Sequence, residues 1–304
     1  MPRTLIAGGT GFIGQRLALL LHQMGHDVLV IGTNPRPCLN LEALGIAIYF
    51  GDLAQSPLDQ IISDSAFDYA VNLSGYIDHR PISDGGWDVF ETHTKSAVNI
   101  INALDKDTLR TFVQVGTSDE YGNIKAPQHE RHRESCVAPY SLAKLSNTHL
   151  VQMLARNQSF PGVVVRPFLV YGPGQSENRL IPFIIQQCLD NKTFDTTPAE
   201  QFRDFLYIDD FCKGVISLFD QSDHYGSVFN VASGKGITVR HVIETVIAEA
   251  GGGAANFGGK PYRPGESMAL FADISAIKKA TGWHPETSLK DGLRFTIDAI
   301  KNGN

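Results

Sequence analysis

The chain has few cysteines, and they show none of the spacings that hold a metal ion. The four of them form no C-x-x-C pair and lie far apart, at Cys38, Cys136, Cys188 and Cys212. The 10 histidines form no metal constellation either. We therefore expect no metal site, and the scattered thiols fit the reducing conditions of the cytoplasm.

Long apolar runs and an excess of basic charge are also missing. No run approaches the ~18 apolar residues of a membrane span. Met1-Pro2-Arg3 leads straight into a short apolar segment, so we expect neither a signal peptide nor contact with a membrane. The net charge of −6 provides no electrostatic footprint for nucleic acid. The 304 residues, 42% hydrophobic and 19% charged, are typical of a soluble enzyme with one large domain or two fused ones.

Short apolar segments alternate with helical patterns through the first half of the chain. Strands are predicted at 4–7, 27–31, 47–50, 69–73, 111–115 and 163–165, and helices at 12–24, 87–104 and 140–156. This alternation is typical of an α/β fold, a Rossmann doubly wound parallel sheet with helices on both faces. After residue 167 the segments become shorter and mixed, which predicts a smaller mixed α/β substrate lobe. The expected division is a dinucleotide-binding domain at 1–167, to which 204–232 returns, and a lobe at 168–203 and 233–304.

A glycine-rich turn follows the first predicted strand and opens the first helix. Gly8, Gly11 and Gly14 recur every three residues, and the segment also matches the pattern G-x-G-x-x-G. Glycines allow a tight turn and let the backbone approach a pyrophosphate at a helix N-terminus. The strand–turn–helix context is the one that this dinucleotide motif needs. The expected cofactor contacts are Gly8, Gly11, Phe12, Ile13 and Gly14.

The end of the second strand lacks an acidic residue. NAD enzymes usually place an acid there, about 20 residues past the glycines, for the ribose hydroxyls. This chain reads Gly32-Thr33-Asn34-Pro35-Arg36, and Thr33 and Arg36 can hold a 2′-phosphate instead. We therefore predict NADP as the cofactor, with NAD as the alternative. Further cofactor contacts are expected where the next two strands end, from Asp52, Leu53, Leu73, Ser74 and Gly75.

Tyr140 and Lys144 are four residues apart on a predicted helix. This spacing places both side chains on one face, with Cβ atoms roughly 5–6 Å apart. Because an ammonium group favours the phenolate, we expect Lys144 to lower the pKa of Tyr140 from about 10. Such a tyrosine exchanges a proton with a hydroxyl or a ketone near neutral pH. With the dinucleotide turn, the pair indicates a nicotinamide-dependent oxidoreductase.

With these motifs the chain resembles the extended short-chain dehydrogenase/reductases. More narrowly, it is similar to the NAD(P)-dependent nucleotide-sugar epimerases, dehydratases and 4-ketoreductases, including CDP-abequose synthase-like and GDP-4-keto-6-deoxymannose reductase-like sequences. Further matching segments are 117–122, 166–174, 203–210, 263–266 and 282–285. The resemblance implies that Thr117 hydrogen-bonds the oxygen at the reacting carbon, that Tyr140 is the general acid or base, and that Lys144 also binds the nicotinamide ribose. It also places Pro167 and Phe168 at the cofactor.

The resemblance implies a nucleotide-diphosphate sugar as the substrate. Arg203 and Arg263 are at the family's diphosphate-contacting positions, and guanidinium groups recognise phosphate oxygens well. Asn178 fits the family's substrate loop. Asp119 takes the place of a longer glutamate in the dehydratases, which disfavours dehydration, and it is expected to face the substrate. For Asp119 and Glu120 a solvated loop is an equally weighted alternative.

Several functions remain open from the sequence. The first is an NADPH-dependent 4-ketoreductase of a nucleotide-linked 4-keto-6-deoxyhexose, which the missing acid after the second strand favours. The second is an NAD-dependent nucleotide-sugar C4 epimerase, which would use the same three residues. A 4,6-dehydratase and a non-catalytic NADP-binding protein are less favoured, the latter because Thr117, Tyr140 and Lys144 are all present.

We also expect a homodimer. In the superfamily that the chain resembles, the helices predicted at 87–104 and 140–156 pair across a two-fold axis, and one self-complementary surface suffices for this. These helices carry more apolar residues than one sheet-facing stripe requires. The residues in question are Val89, Val98, Ile101, Leu145, Leu150, Val151 and Leu154.

Overall fold

The computed structural model describes residues 1–33, 41–56, 58–62, 66–263 and 265–303. Within these residues, seven parallel strands form the main sheet in the order β11-β6-β5-β4-β1-β2-β3. Their bounds are β1 Arg3–Ala7, β2 Asp27–Gly32, β3 Ala47–Phe50, β4 Tyr69–Asn72, β5 Thr111–Val115, β6 Gly162–Pro167 and β11 Val228–Val231. The predicted fold class, a doubly wound parallel sheet, is confirmed.

The remaining strands are short and lie outside the main sheet. They are β7 Leu169–Tyr171, β8 Thr193–Thr196, β9 Phe202–Arg203, β10 Phe205–Tyr207, β12 Ile237–Thr238, β13 Ala254–Phe257 and β14 Ala269–Leu270. The helices are α1 Phe12–Gln23, α2 Leu58–Ile62, α3 Gly86–Ala103, α4 Pro139–Gln158, α5 Leu180–Leu189, α6 Ile208–Ile216, α7 Val239–Ala250, α8 Ser275–Thr281 and α9 Leu289–Lys301. None of these described helices has the length and apolar content needed to cross a membrane.

The central strands of the main sheet, β1, β4, β5 and β6, are buried on both faces because they are apolar at successive positions. Side chains alternate between the two faces of a strand. In β1, Leu5 packs with residues of α3 and α4 such as Ile101 and Val151, whereas Ile6 packs with Leu17 of α1 and other residues on the opposite face. Continuous apolar strands of this kind are typical of a parallel sheet covered by helices on both sides.

The chain after β6 contributes both to the sheet and to a separate group of short strands. β11 pairs with β6 at the sheet edge, and β10 pairs with β7. β9 pairs with β12 and β14, while β8 pairs with β13. The division into a domain at 1–167 and 204–232 and a lobe at 168–203 and 233–304 stays a prediction.

The apolar residues that motivated a dimer are mostly used within the chain. Val89, Ile101, Val151 and Leu154 are all buried, so they provide no subunit surface. Val98, which is also among the seven residues, is exposed, and so are Trp87, Leu142 and Met153 of the same two helices. The buried residues are therefore not available to a partner, whereas α3 and α4 do present other apolar side chains, and the homodimer stays a prediction.

Candidate active site

The glycine turn lies between β1 and α1, against the chain that leaves β4. Gly8 has a φ of +77°, and a Cβ atom there would lie 2.7 Å from the carbonyl carbon of Leu73. A Cβ atom on Gly14 would lie 2.5 Å from the Cα atom of Gly9. Among the described residues, no side chain caps the start of α1, so backbone N–H groups of its first turn are available to an anion. The turn therefore has a backbone that fits a dinucleotide pyrophosphate, and contacts of Gly8, Gly11, Phe12, Ile13 and Gly14 with the cofactor stay a prediction.

The ends of β2 and β3 form the neighbouring edge of this region. Thr33 is exposed directly after β2, whereas the predicted phosphate ligand Arg36 lies outside the described residues. Asp52 follows β3, and its Oδ1 atom accepts a hydrogen bond of 2.9 Å from the backbone N–H of Ala54. Leu53 is buried. Within the described part of this edge, β2 ends without an acidic side chain.

The end of β4 brings the cofactor region next to the catalytic helix. The Asn72 Oδ1 atom accepts hydrogen bonds from the Ser74 backbone N–H at 3.0 Å and from its hydroxyl at 2.6 Å. The carbonyl oxygen of Ser74 in turn accepts a hydrogen bond of 3.1 Å from Lys144 Nζ. Gly75 has a φ of +116°, and a Cβ atom there would lie 2.1 Å from the ring of His93. Leu73, Ser74 and Gly75 therefore lie beside the predicted catalytic lysine.

The structure brings Thr117, Tyr140 and Lys144 together at the carboxyl ends of β4 and β5. Thr117 follows β5 and precedes a 3-10 helical turn at Ser118–Glu120. Tyr140 lies in the first turn of α4, which begins at Pro139 because proline suits that position. Lys144, one turn later, also donates a hydrogen bond of 3.1 Å to the carbonyl oxygen of Val115. All three side chains are buried.

The pKa of Tyr140 departs from our expectation. Burial raises its pKa well above the ordinary value, the charge of Asp119 raises it further, and a hydrogen bond with Thr117 opposes both. Burial also lowers the pKa of Lys144 to about 8, while the charge of Glu120 acts in the opposite direction. Lys144 donates to two carbonyl groups. Among the influences on the pKa of Tyr140, burial is the largest. The expectation that Lys144 gives the phenol a lowered pKa is therefore contradicted.

Glu120 is the largest correction to the sequence interpretation, because it is not in a solvated loop. Its side chain is fully buried and ion-paired with the equally buried Arg166, 2.8 Å away. Arg166 also contacts Glu134 at 2.8 Å and lies over the ring of Tyr121, 4.5 Å from its centroid. A glutamate three residues after a capping threonine is typical of a capping box, and this local signal accounts for the hydrogen bond from the Thr117 N–H to Glu120.

Asp119, by contrast, is partly exposed beside Tyr140. Its Oδ2 atom lies 2.9 Å from Nε2 of His79, and this hydrogen bond raises the pKa of His79. The His79 ring lies edge-on to Tyr140 with 5.6 Å between the centroids. His93 packs on the same tyrosine, 5.3 Å away. Burial and the charge of Lys144 lower the pKa of His93 to about 3, so His93 is neutral.

The other predicted residues lie farther out. Phe168 is buried against Tyr121 with 6.3 Å between the ring centroids, and Pro167 ends β6. Arg203 is ion-paired with Glu266. Arg263 and Asn178 are both exposed, and no described contact joins either of them to Tyr140. A nearby cation that we had not predicted is Arg179, whose charge lowers the pKa of Tyr140.

The comparison with protein families agrees with this geometry. Residues 4–232 match the model of the NAD dependent epimerase/dehydratase family. The chain belongs to this family. It is therefore an enzyme of the NAD dependent epimerase/dehydratase family, and the resemblance inferred from its motifs is confirmed at that level.

Relatives and solved structures of this family cover nearly the whole chain. The uncharacterized UDP-glucose epimerase YtcB of Bacillus subtilis is 28% identical over 97% of this chain and 96% of its own length. The dTDP-glucose 4,6-dehydratase 1 of Escherichia coli is 22% identical over 97% of this chain and 92% of its own. The structure of UDP-glucuronic acid 4-epimerase from Bacillus cereus, in complex with UDP-glucuronic acid and NAD, has a TM-score of 0.88 and 26% identity, with 99% and 100% of the two chains covered.

Proposed function

We propose that this epimerase/dehydratase-family enzyme acts at C4 of a nucleotide-linked sugar, and that it is an NADPH-dependent reductase of a 4-keto-6-deoxyhexose. The observation that carries the proposal is the convergence of Thr117, Tyr140 and Lys144 beside the glycine turn. A bound nicotinamide cofactor supplies hydride transfer to or from carbon. The site is at the carboxyl ends of the strands, where open α/β sheets bind their ligands.

The proposed role of Tyr140 follows from its pKa. Because burial holds this pKa above the ordinary range, the phenol carries its proton at neutral pH. A protonated phenol is the form that can give a proton to a ketone oxygen as the carbonyl carbon is reduced. The Thr117 hydroxyl would hydrogen-bond the same oxygen. Lys144, protonated below a pKa of about 8, would stabilise the phenolate that remains.

The choice of NADP over NAD rests on the residues at the end of β2. An acid at its end is the usual partner of the NAD ribose hydroxyls, and Gly32 and Thr33 occupy that end. This supports NADP, with Thr33 and Arg36 as its proposed phosphate contacts. Thr33 is exposed and therefore accessible to such a group.

The substrate proposal rests on the arginines at the positions where the family contacts a diphosphate. Arg203 and Arg263 are proposed to bind the diphosphate, and Asn178 and Asp119 to contact the substrate. Arg203 is ion-paired with Glu266, and burial lowers the pKa of its guanidinium group, which remains charged at neutral pH. We also propose that the enzyme is a homodimer through α3 and α4, where Trp87 and Leu142 are exposed.

A C4 epimerase is the second candidate, and the comparisons favour it. YtcB is named as a UDP-glucose epimerase, and the Bacillus cereus structure is that of a UDP-glucuronic acid 4-epimerase with NAD. An epimerase would first remove a proton from the C4 hydroxyl, so it needs Tyr140 as a phenolate at the start. The raised pKa of Tyr140 is less suited to that first step.

The two candidates predict different reactions for the purified enzyme. With a nucleotide-linked 4-keto-6-deoxyhexose, the reductase should consume one NADPH for each alcohol formed. With UDP-glucose or UDP-glucuronic acid, the epimerase should invert C4 without net use of cofactor. The nucleotide that copurifies gives an independent test, because an epimerase retains NAD. Inversion of C4 with retained NAD, and no oxidation of NADPH, would overturn the reductase proposal.

A further inference from the structure

Glu120 is a buried carboxylate that accepts hydrogen bonds from three residues, one of them an arginine with which it is also ion-paired. Its Oε1 atom accepts from the backbone N–H of Thr117 at 2.9 Å. Its Oε2 atom accepts from the Thr148 hydroxyl at 2.9 Å and from Arg166 Nε at 2.9 Å, and Arg166 Nη2 lies 2.8 Å away. Burial raises the pKa of Glu120. With two oxygens accepting from these donors and a guanidinium beside them, the carboxylate is still the form at neutral pH.

These contacts join the segments that carry the three predicted catalytic residues. Thr117 belongs to the chain leaving β5. Thr148 lies one turn after Lys144 on α4, so its hydroxyl ties the catalytic helix to the same carboxylate. Arg166 comes from β6. Glu120 is thus the common acceptor for β6, for the catalytic threonine and for the catalytic helix.

Lys144 and Glu120 also lie against two successive residues, Val115 and Gly116. Lys144 Nζ donates to the carbonyl oxygen of Val115 at 3.1 Å. A Cβ atom on Gly116, the next residue, would lie 2.2 Å from Oε1 of Glu120. The other titratable groups beside Lys144 are the neutral His93 of α3 and Tyr140, which is one turn earlier on the same face of α4. Among these groups, Glu120 provides the negative charge.

We infer that Glu120 is a positioning residue of the active site: it aligns Thr117 with the helix of Tyr140 and Lys144 and provides the counter-charge for Lys144. The inference rests on the proposed function for its kinetic readout. This role explains why a carboxylate is buried at position 120, where an apolar side chain would pack without any desolvation cost.

The test compares Glu120→Gln with Glu134→Gln, because both are isosteric changes at carboxylates that contact Arg166. Only Glu120 contacts Thr117 and Thr148, so only E120Q should disturb the catalytic residues. We expect E120Q to lower kcat roughly 10–100-fold, since small misplacements have effects of this size. The alkaline limb of the pH–kcat profile should move to lower pH by on the order of one unit, because Lys144 loses its nearby anion and its pKa falls. E134Q should keep the kcat and the limb of the parent.

A second readout separates this inference from the proposed function. The pH dependence of NADPH binding, followed by nicotinamide fluorescence, reports on Lys144 without turnover. If the parent reduces no keto-sugar, the proposed function fails, while a binding limb shifted in E120Q alone still supports the role of Glu120. If E120Q and E134Q give the same limb and the same kcat, the inference is overturned.

E120Q could also unfold, because it leaves a buried polar group beside Arg166. The double variant Glu120→Met with Arg166→Met then replaces both fully buried charges, a change that buried pairs often tolerate, and it leaves only the half-buried Glu134 without its arginine. We expect this variant to fold, to bind NADPH and to show the same downward shift of the limb. A limb at the pH of the parent would overturn the inference.

Discussion

Replacement of Tyr140 by phenylalanine tests the proposed chemistry most directly. The ring is buried, with His93 and His79 edge-on at 5.3 Å and 5.6 Å between the centroids. Phenylalanine keeps this packing and removes only the hydroxyl. The Thr117 hydroxyl retains another partner, because its Oγ1 atom accepts a hydrogen bond of 3.2 Å from the Asp119 backbone N–H. The change therefore removes one hydrogen bond and the proton donor, with no cavity in the core.

The expected effects on stability and on activity differ in size. Loss of one buried hydrogen bond should cost about 0.5–1.5 kcal/mol of unfolding free energy. Loss of the general acid should lower kcat by about 10²–10⁴-fold, which is about 2.7–5.4 kcal/mol in the activation barrier. Activity should thus fall far more than the stability change explains.

Tyr171→Phe is the matched control. Tyr171 is also buried, and its hydroxyl donates a hydrogen bond of 3.3 Å to the carbonyl oxygen of Leu289, away from the proposed site. Both variants should unfold within a few degrees of the parent, and only Tyr140→Phe should lose turnover. The measurements are thermal unfolding, NADPH binding and NADPH oxidation with a nucleotide-linked keto-sugar. A kcat of Tyr140→Phe within a factor of about ten of the parent lies outside the range for lost acid catalysis and would refute the reasoning.

Four further predictions follow from the same geometry. The alkaline limb of the parent should lie near the Lys144 pKa of about 8, with activity falling as the pH rises through it; Lys144→Met should be less active and lack that limb, and an unchanged pH–kcat profile would contradict this. Gly8→Ala should lose dinucleotide binding and about 1–3 kcal/mol of stability; Gly25→Ala, with a similar φ of +86° and no atom within 4 Å of its Cβ position, should keep dinucleotide binding, and equal binding by both would count against the turn. Arg36→Ala should weaken NADPH binding while NADH binding barely changes, and equal effects on both would favour the NAD epimerase. Analytical ultracentrifugation at micromolar concentration should show a dimer, and a monomer alone would exclude the proposed α3–α4 interface.

Local sequence patterns were sufficient to predict the strands and helices near the site. The predicted strand 47–50 is found as Ala47–Phe50, and the predicted helices 87–104 and 140–156 are found as Gly86–Ala103 and Pro139–Gln158. The sequence signals for these elements are continuous apolar runs in the strands, a glycine after a helix and a proline at a helix start. Each signal acts within a few residues. The order of strands and helices then restricts the sheet to a few parallel topologies.

The electrostatics of the site could not be predicted in the same way. The spacing of Tyr140 and Lys144 led us to expect a lowered tyrosine pKa, but burial reverses the direction. Burial depends on which distant segments cover a side chain. The carbonyl oxygen of Ser74 accepts a hydrogen bond from Lys144, and the ring of His93 packs on Tyr140. Both residues lie far from Tyr140 in the sequence.

The sequence by itself determined the fold class, the glycine turn and the pairing of Tyr140 with Lys144, because these depend on short spacings and local backbone preferences, while Thr117 was identified through the family resemblance. Only the tertiary structure decided that Glu120 faces inward while its neighbour Asp119 is partly exposed beside His79. Adjacent carboxylates are chemically similar in sequence. Their environments differ because Arg166 of β6, 46 positions away along the chain, binds Glu120, whereas Asp119 contacts His79.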